Sequence, residues 1–338
     1  MRNTTLLRSG AVAAVAALAL AACGSGDGDA AGGGESKTLK LALNQTEQHP
    51  SFIALENFGK RLKESTGGRL SVQVYPNETL GAQQETLQLV SDGTVDLAIV
   101  SGTQLENLNK DFSVFNMPLA FSSVEGQMKV VNDQKAVGDL YSSLEASNKV
   151  TVVGAFTQGT RNVYSKKAPI NTPADLKGQK IRVQESDLHT SMISAMGASA
   201  TPMAFGEVYT ALQAGVLDGA ENNEVSYVTQ KHFEVAKFYS RTNHLVGLDY
   251  LVVNSDLVKG FSGEDKAAFD KEWAAAWAEH TELWGKETEK AIATAEAAGA
   301  KFNDVDAAAF EAALEPLKEK FLTSDVQKKL YETAQAAG

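Results

Sequence analysis

The chain has 338 residues, too many for one small core and enough for two domains of about 120–150 residues each. Its 42 acidic residues outnumber 31 basic ones, leaving a formal net charge of −11 that repels phosphate backbones and anionic membrane surfaces. Aromatics at 7% are too sparse for a base-stacking platform, so nucleic acid is excluded as a partner, and a bound anion would need a local positive site.

Met1–Leu20 has the layout of an export signal, with Arg2 and Arg8 ahead of the apolar stretch Ala11–Leu20. That stretch is too short to span a bilayer, which takes about 20 residues. It runs into Leu20-Ala21-Ala22-Cys23, where Cys23 is the sole cysteine. The arrangement resembles the lipobox of bacterial lipoproteins, whose cysteine becomes the acylated N-terminus; an ordinary Ala-x-Ala cleavage site is the plainer alternative. Residues 1–22 are thus expected to be a lipoprotein signal peptide, Cys23 the lipid anchor, and 23–37 a Gly/Ala/Ser-rich flexible tether. The protein is expected outside the cytoplasmic membrane, held to its outer face through the N-terminal lipid.

Beyond the tether, Thr38–Leu43 alternates apolar and polar residues and predicts a strand. Apolar residues at helical spacing predict a helix over Ser51–Ser65, stopped by Thr66-Gly67-Gly68. Leu70–Tyr75 reads as a strand, Gln83–Ser91 as a helix ended by Asp92-Gly93, and Val95–Val100 as an apolar strand. Strand, helix, strand, helix, strand is the pattern of a wound α/β sheet. It returns as strand Ile181–Gln184, helix Leu188–Met196, helix Phe205–Ala214 and strand Val216–Ala220. Leu89–Ala98 and Ala211–Ala220 share one layout: a helix end, Gly93 or Gly215, then Asp96 or Asp218 entering a buried strand. This predicts two lobes of related design. Ser262 can cap a helix from Gly263 to about Ala298, roughly 50 Å long at 1.5 Å per residue and able to brace both lobes. Trp273, Trp277 and Trp284 share one face of it and read as core packing. A short strand at Lys301-Phe302 and helices over Asp306–Phe321 and Asp325–Ala336 close the chain.

Enzyme motifs are missing. There is no G-x-S-x-G elbow, H-E-x-x-H, phosphate loop or dinucleotide fingerprint, and no histidine pair at metal spacing. No catalytic residue, cofactor or metal is expected. Two arginines stand out. Period-2 alternation sets Arg182 on the face opposite Ile181 and Val183, and a charge in an apolar strand needs an anion beside it. Arg161, in Gln158-Gly159-Thr160-Arg161, follows the apolar strand Thr151–Phe156, at the strand end where α/β sheets bind ligands. A guanidinium fork fits a carboxylate by two parallel hydrogen bonds, whether that acid belongs to a ligand or to an internal Asp or Glu.

These residues sit in a run of marks: Tyr75-Pro76-Asn77 followed by Leu80-Gly81, Gly159-Thr160-Arg161, Leu176–Val183, Thr201–Tyr209, Leu217–Asn222 and Thr242-Asn243-His244. In that order, from residue 38 onward, the chain resembles the DctP-type solute-binding proteins of tripartite ATP-independent periplasmic (TRAP) transporters. The resemblance implies an α/β, two-lobed periplasmic-binding-protein fold of type II-like kind, with crossing hinge strands and a long helix spanning both lobes. Residues 38–157 and 248–287 would form lobe I, and 158–247 and 288–338 lobe II. It also implies a small organic anion as ligand and two integral membrane subunits as partners. Arg182 would grip the ligand carboxylate bidentately, Arg161 would add a more peripheral contact, and Asn222 would hydrogen-bond the same group. Phe205 would pack on the ligand, Asn44 would reach it from the opposite lobe, and His244 would line the pocket. Gln158, beside Arg161, and His49 complete the candidate set. The chain departs from sialic-acid-binding members, carrying Gln184-Glu185 after the arginine strand and Gln83 and Ser101 where those members are acidic. The Gln45–Pro50 loop is similar to loops of members that bind sugar acids, so a uronate-like ligand is favoured over a C4-dicarboxylate or 2-oxo acid. A sensing module of the same fold is the alternative class.

Overall fold

The computed structural model describes residues 36–337. The expected signal peptide, Cys23 and nearly all of the tether lie outside the described residues. Among the described residues nine strands form one mixed sheet: β1 (Lys37–Ala42), β2 (Leu70–Tyr75), β3 (Leu97–Ser101), β4 (Val150–Ser165), β5 (Lys180–Val183), β6 (Ser199–Pro202), β7 (Gly219–Asn222), β8 (Phe238–Asn254) and β9 (Lys301–Asp304). Their order is β2-β1-β3-β8-β4-β7-β5-β6, with β9 beside β8.

Two parallel three-stranded units carry this sheet. In the first lobe β1 pairs with β2 and β3; in the second β5 pairs with β6 and β7. The helices α1 (Pro50–Ser65) and α2 (Gln83–Ser91) cross over in the first, and helices Asp187–Ala195 and Val208–Gln213 in the second. The shared layout of Leu89–Ala98 and Ala211–Ala220 is seen directly. Gly93 and Gly215 both take φ +76°. The following amides return to Leu89 O and Ala211 O. Asp96 then accepts from Lys40 N and Asp218 from Lys180 N, both at 2.9 Å, each aspartate pinning the neighbouring strand.

β4 and β8 run antiparallel through both lobes. Residues 150–156 of β4 pair with 249–254 of β8 in the first lobe, and residues 163–165 with 238–240 in the second. The register slips between Thr157 and Thr160, where the strands cross over. Gly159 sits at this slip with φ +61°, and a Cβ there would collide with the Trp284 indole, so only glycine fits.

The helix Gly263–Ala297 begins where Ser262 Oγ accepts from Asp265 N. Its first half packs Phe269, Trp273 and Ala276 into the core of β1–β3 and α1. Trp273 stacks on Phe156 with centroids 4.8 Å apart. Further along, Trp284 and Ala291 meet Val225 of the helix Glu224–Thr229, and Ala295 joins the second-lobe core. Burying a large apolar side chain contributes roughly 2–3 kcal/mol, so this helix ties the lobes together.

Several expected segments differ: the strand read at Thr151–Phe156 runs on to Ser165, and the one read at Val216–Ala220 is Gly219–Asn222. Pro316, lacking an N–H, splits the predicted Asp306–Phe321 helix into Ala307–Leu314 and Pro316–Phe321. Phe205–Glu207 is a 3₁₀ turn before the α-helix. The closing helix Asp325–Ala337, expected in the second lobe, instead packs on first-lobe residues: Gln327 Nε2 donates to Lys110 O at 3.3 Å and Gln335 Nε2 to Ala120 O at 3.2 Å. Among the described residues no helix is long and apolar enough to cross a membrane.

Candidate ligand-binding cleft

Alternation along β5 works as the sequence suggests. Ile181 and Val183 enter the core, and Arg182 faces the cleft between the lobes, where it is 3% exposed. Its Nε and Nη2 donate to Met203 O at 2.9 and 2.6 Å. The guanidinium lies over the Phe205 ring, 5.6 Å from the centroid. Among the described residues no carboxylate stands within ion-pair distance of it, and Nη1 has no protein acceptor. Burial pulls its pKa down to about 10, which still leaves it charged near neutral pH.

Arg161 is different. Nε and Nη2 hold the two oxygens of Glu221 at 2.6 and 2.7 Å, and Nη2 also reaches Glu221 O at 3.0 Å. Nη1 donates to Gln158 Oε1 at 2.5 Å and Asn222 Oδ1 at 3.0 Å. All five N–H groups are spent. The internal ion pair is therefore the correct account of Arg161: it lines the cavity but has no donor free for a ligand, because Glu221, one residue before Asn222 on β7, lies opposite it. Glu221 is fully buried. Burial alone would raise its pKa, yet Arg161, with His189 and His244 alongside, holds it well below the usual carboxylate range.

The remaining candidates separate in the same way. Asn222 stands at the cavity with Oδ1 held by Arg161 and by Asn223 N at 2.9 Å, which turns its Nδ2 away from these partners. Phe205 and Asn44 line the pocket. Gln158 lines it too, but Nε2 is bound to Asp249 Oδ1 at 2.6 Å and Oε1 to Arg161, so its role is to fix Arg161. His244 does not line the pocket: it sits behind Glu221, with Nε2 3.3 Å from that carboxylate and Nδ1 2.8 Å from Thr242 Oγ1. Nor does His49, whose Nδ1 caps α1 by accepting from Ser51 N at 3.2 Å while its ring packs on Trp284. Burial drives His49 down to about 3, so it is neutral.

These groups line one pocket in the cleft between the lobes. Sequence reasoning missed Gln45 and Gln184 in its wall. Asn44 Oδ1 and Gln45 Oε1 are buried without hydrogen-bond partners. Buried polar atoms ordinarily find partners, so these acceptors facing the cavity mark places for ligand donors. The second lobe closes over them: Thr103 Oγ1 donates to Gln184 Oε1 at 2.9 Å, Asn107 Nδ2 to Glu185 O at 3.0 Å, and Ser186 Oγ bonds Glu106. Burial raises Glu106 to about 7. The arrangement is one free guanidinium, one aromatic face and several amides, a set that binds an anion and hydroxyls. Among the described residues no group of three or more His, Cys, Asp or Glu could hold a metal ion.

Comparison with known proteins identifies the family. Residues 41–325 match the family model DctP, "Bacterial extracellular solute-binding protein, family 7". A solute-binding protein of Chromohalobacter salexigens is 34% identical over 275 residues, 81% of each chain. The 2,3-diketo-L-gulonate-binding periplasmic protein YiaO of Escherichia coli is 30% identical over 280 residues, covering 82% of this chain and 85% of YiaO. Among solved structures, a TRAP periplasmic solute-binding protein of Anaerococcus prevotii with bound D-glucuronate superposes with a TM-score of 0.86 at 34% identity, over 89% of this chain and 98% of that one. One from Xanthobacter autotrophicus with bound β-D-galacturonate gives 0.84 at 31% identity, over 89% and 100%. With its two-lobed α/β fold and its cleft arginine, the chain belongs to family 7 of the bacterial extracellular solute-binding proteins, the DctP type found in TRAP transporters.

Proposed function

We propose that this protein captures a sugar acid of the uronate class outside the cell and delivers it to the membrane subunits of a TRAP transporter. One observation carries the reading. Arg182 is a buried cation with no carboxylate of the described residues within ion-pair distance, beside buried amide oxygens that have no donors. A ligand with one carboxylate and several hydroxyls satisfies both. Its carboxylate takes the open side of Arg182 and the Asn222 amide, its ring packs on Phe205, and its hydroxyls donate to Asn44 and Gln45. Because Arg161 is consumed by Glu221, the cleft offers one uncommitted guanidinium, which favours a monoacid over a C4-dicarboxylate. The relatives seen with glucuronate and galacturonate support the same class.

The protein acts by binding, not by catalysis. Burial in a closed cleft strengthens the ion pair, and ligand affinity for the closed state drives closure. Cys23, acylated, holds it at the outer face of the membrane. A thermal-shift screen of uronates, C4-dicarboxylates and 2-oxo acids tests the reading. Glucuronate or galacturonate should raise the Tm by several degrees and succinate should not; a shift from succinate alone overturns the sugar-acid assignment.

A further inference from the structure

Of the cleft carboxylates outside the expected site, Glu78 and Glu185, one bridges the lobes through its own side chain. Glu78 follows β2 in the first lobe and crosses the cleft, where its Oε2 accepts from Gly206 N of the second lobe at 3.2 Å. Its Oε1 is buried and has no hydrogen-bond partner. A small space beside it, lined also by Glu185, adjoins the main pocket and shares Arg182, Gln184 and Phe205 with it. The backbone that carries Glu78 is held in an unfavourable form: Asn77 and Glu78 both adopt left-handed φ, at +58° and +54°. Two such residues in succession are costly for non-glycine side chains and persist where neighbouring structure imposes them. Here Asn77 N donates to Gln45 O and Glu78 N to Leu43 O, so the turn is built onto the loop that bears Asn44 and Gln45. Gly206 completes the fit, since a Cβ there would press on the Glu78 carboxylate.

We infer that Glu78 is a specificity-determining residue: its free oxygen accepts a ligand hydroxyl, and its charge rejects a second carboxylate in the same place. The inference rests on the sugar-acid reading and sharpens it to a monoacid carrying a hydroxyl where an aldarate carries its other acid group. A hydroxyl gives Oε1 the donor it lacks; a carboxylate placed against Oε1 sets two like charges together, in a space that Glu185 also lines. The Gly206 contact couples this choice to closure, because the same carboxylate bridges the lobes.

The test is calorimetric titration of the full chain with D-galacturonate and with galactarate, which has the same carbon chain and an acid at both ends. Wild type should prefer galacturonate by about tenfold or more. Glu78→Gln, keeping shape and removing charge, should weaken galacturonate severalfold and shrink the preference by about tenfold. Gly206→Ala, which displaces the carboxylate without removing it, should weaken galacturonate as well. If wild type binds galacturonate and the preference in Glu78→Gln stays within twofold of it, the inference on Glu78 is overturned while the sugar-acid reading stands. If wild type binds no uronate at all, both fall together.

Discussion

Arg182→Met separates binding from stability. Methionine replaces the aliphatic stem of the arginine and removes the charge. In the unliganded protein the change deletes two donations into one carbonyl, Met203 O, at roughly 1 kcal/mol each, and a cation–π contact with Phe205 of about 1 kcal/mol. Against this stands the cost of a guanidinium that is 3% exposed and in no direct ion pair, about several kcal/mol, the same cost that draws its pKa down to about 10. The two sides offset to within about 2 kcal/mol, so the Tm without ligand should move by only a few degrees in either direction. Binding should collapse. Losing a charge-assisted pair with a desolvated carboxylate costs at least about 2–3 kcal/mol, or roughly 30- to 150-fold in Kd. Titration calorimetry with D-glucuronate, together with thermal unfolding of the variant alone, measures both halves. A Kd within twofold of wild type would refute the grip. A large fall in Tm would show instead that Arg182 is a strut of the fold.

Arg161→Met should behave in the opposite way. It strands Glu221, fully buried, without its bidentate partner, and should destabilise the fold by about 3–5 kcal/mol, read as a lower midpoint in urea at unchanged slope. Glu106→Gln should change the pH dependence of stability. The folded protein raises this carboxyl from 4.5 to about 7 through burial, so it holds its proton more tightly folded than unfolded. Stability from this group is therefore fully present below about pH 4.5 and lost as pH rises to about 7, a difference of roughly 3 kcal/mol. The variant, neutral throughout, should match wild type at pH 4.5 and melt several degrees higher at pH 8; a constant gap between the two across this range would contradict the assignment.

Much of the first lobe was legible because its segments obey one period at a time. β1, α1, β2 and α2 show clean alternation or helical spacing and end at Gly or Pro. Arg182 was legible for a related reason: a lone charge between Ile181 and Val183 in a short apolar strand has one face to point to. β4 and β8 were not. Both are buried on two sides through most of their length, so alternation vanishes; of β4 only Thr151–Phe156 was read, and Gly159, a close contact of Trp284, sits inside the strand where a break would be expected. The partner of Arg161 was hidden because Glu221 lies 60 residues away on a strand whose pairing with β4 only the fold sets. His49 and His244 were drawn toward the ligand by family likeness, yet one serves a helix cap and the other the back of Glu221. Glu78 carried no pattern at all: its reach across the cleft depends on two left-handed residues that sequence spacing does not show.

The account stands on a carboxylate meeting Arg182, and the most direct measurement removes that carboxylate's charge while leaving the sugar alone. Titration of wild-type protein with D-glucuronate and with D-glucuronamide compares an acid with its neutral amide in one cleft. The predicted result is a loss of about 100-fold or more for the amide, since Arg182 would then face no counter-charge. Equal affinity for the two would mean that the buried guanidinium does not hold the ligand.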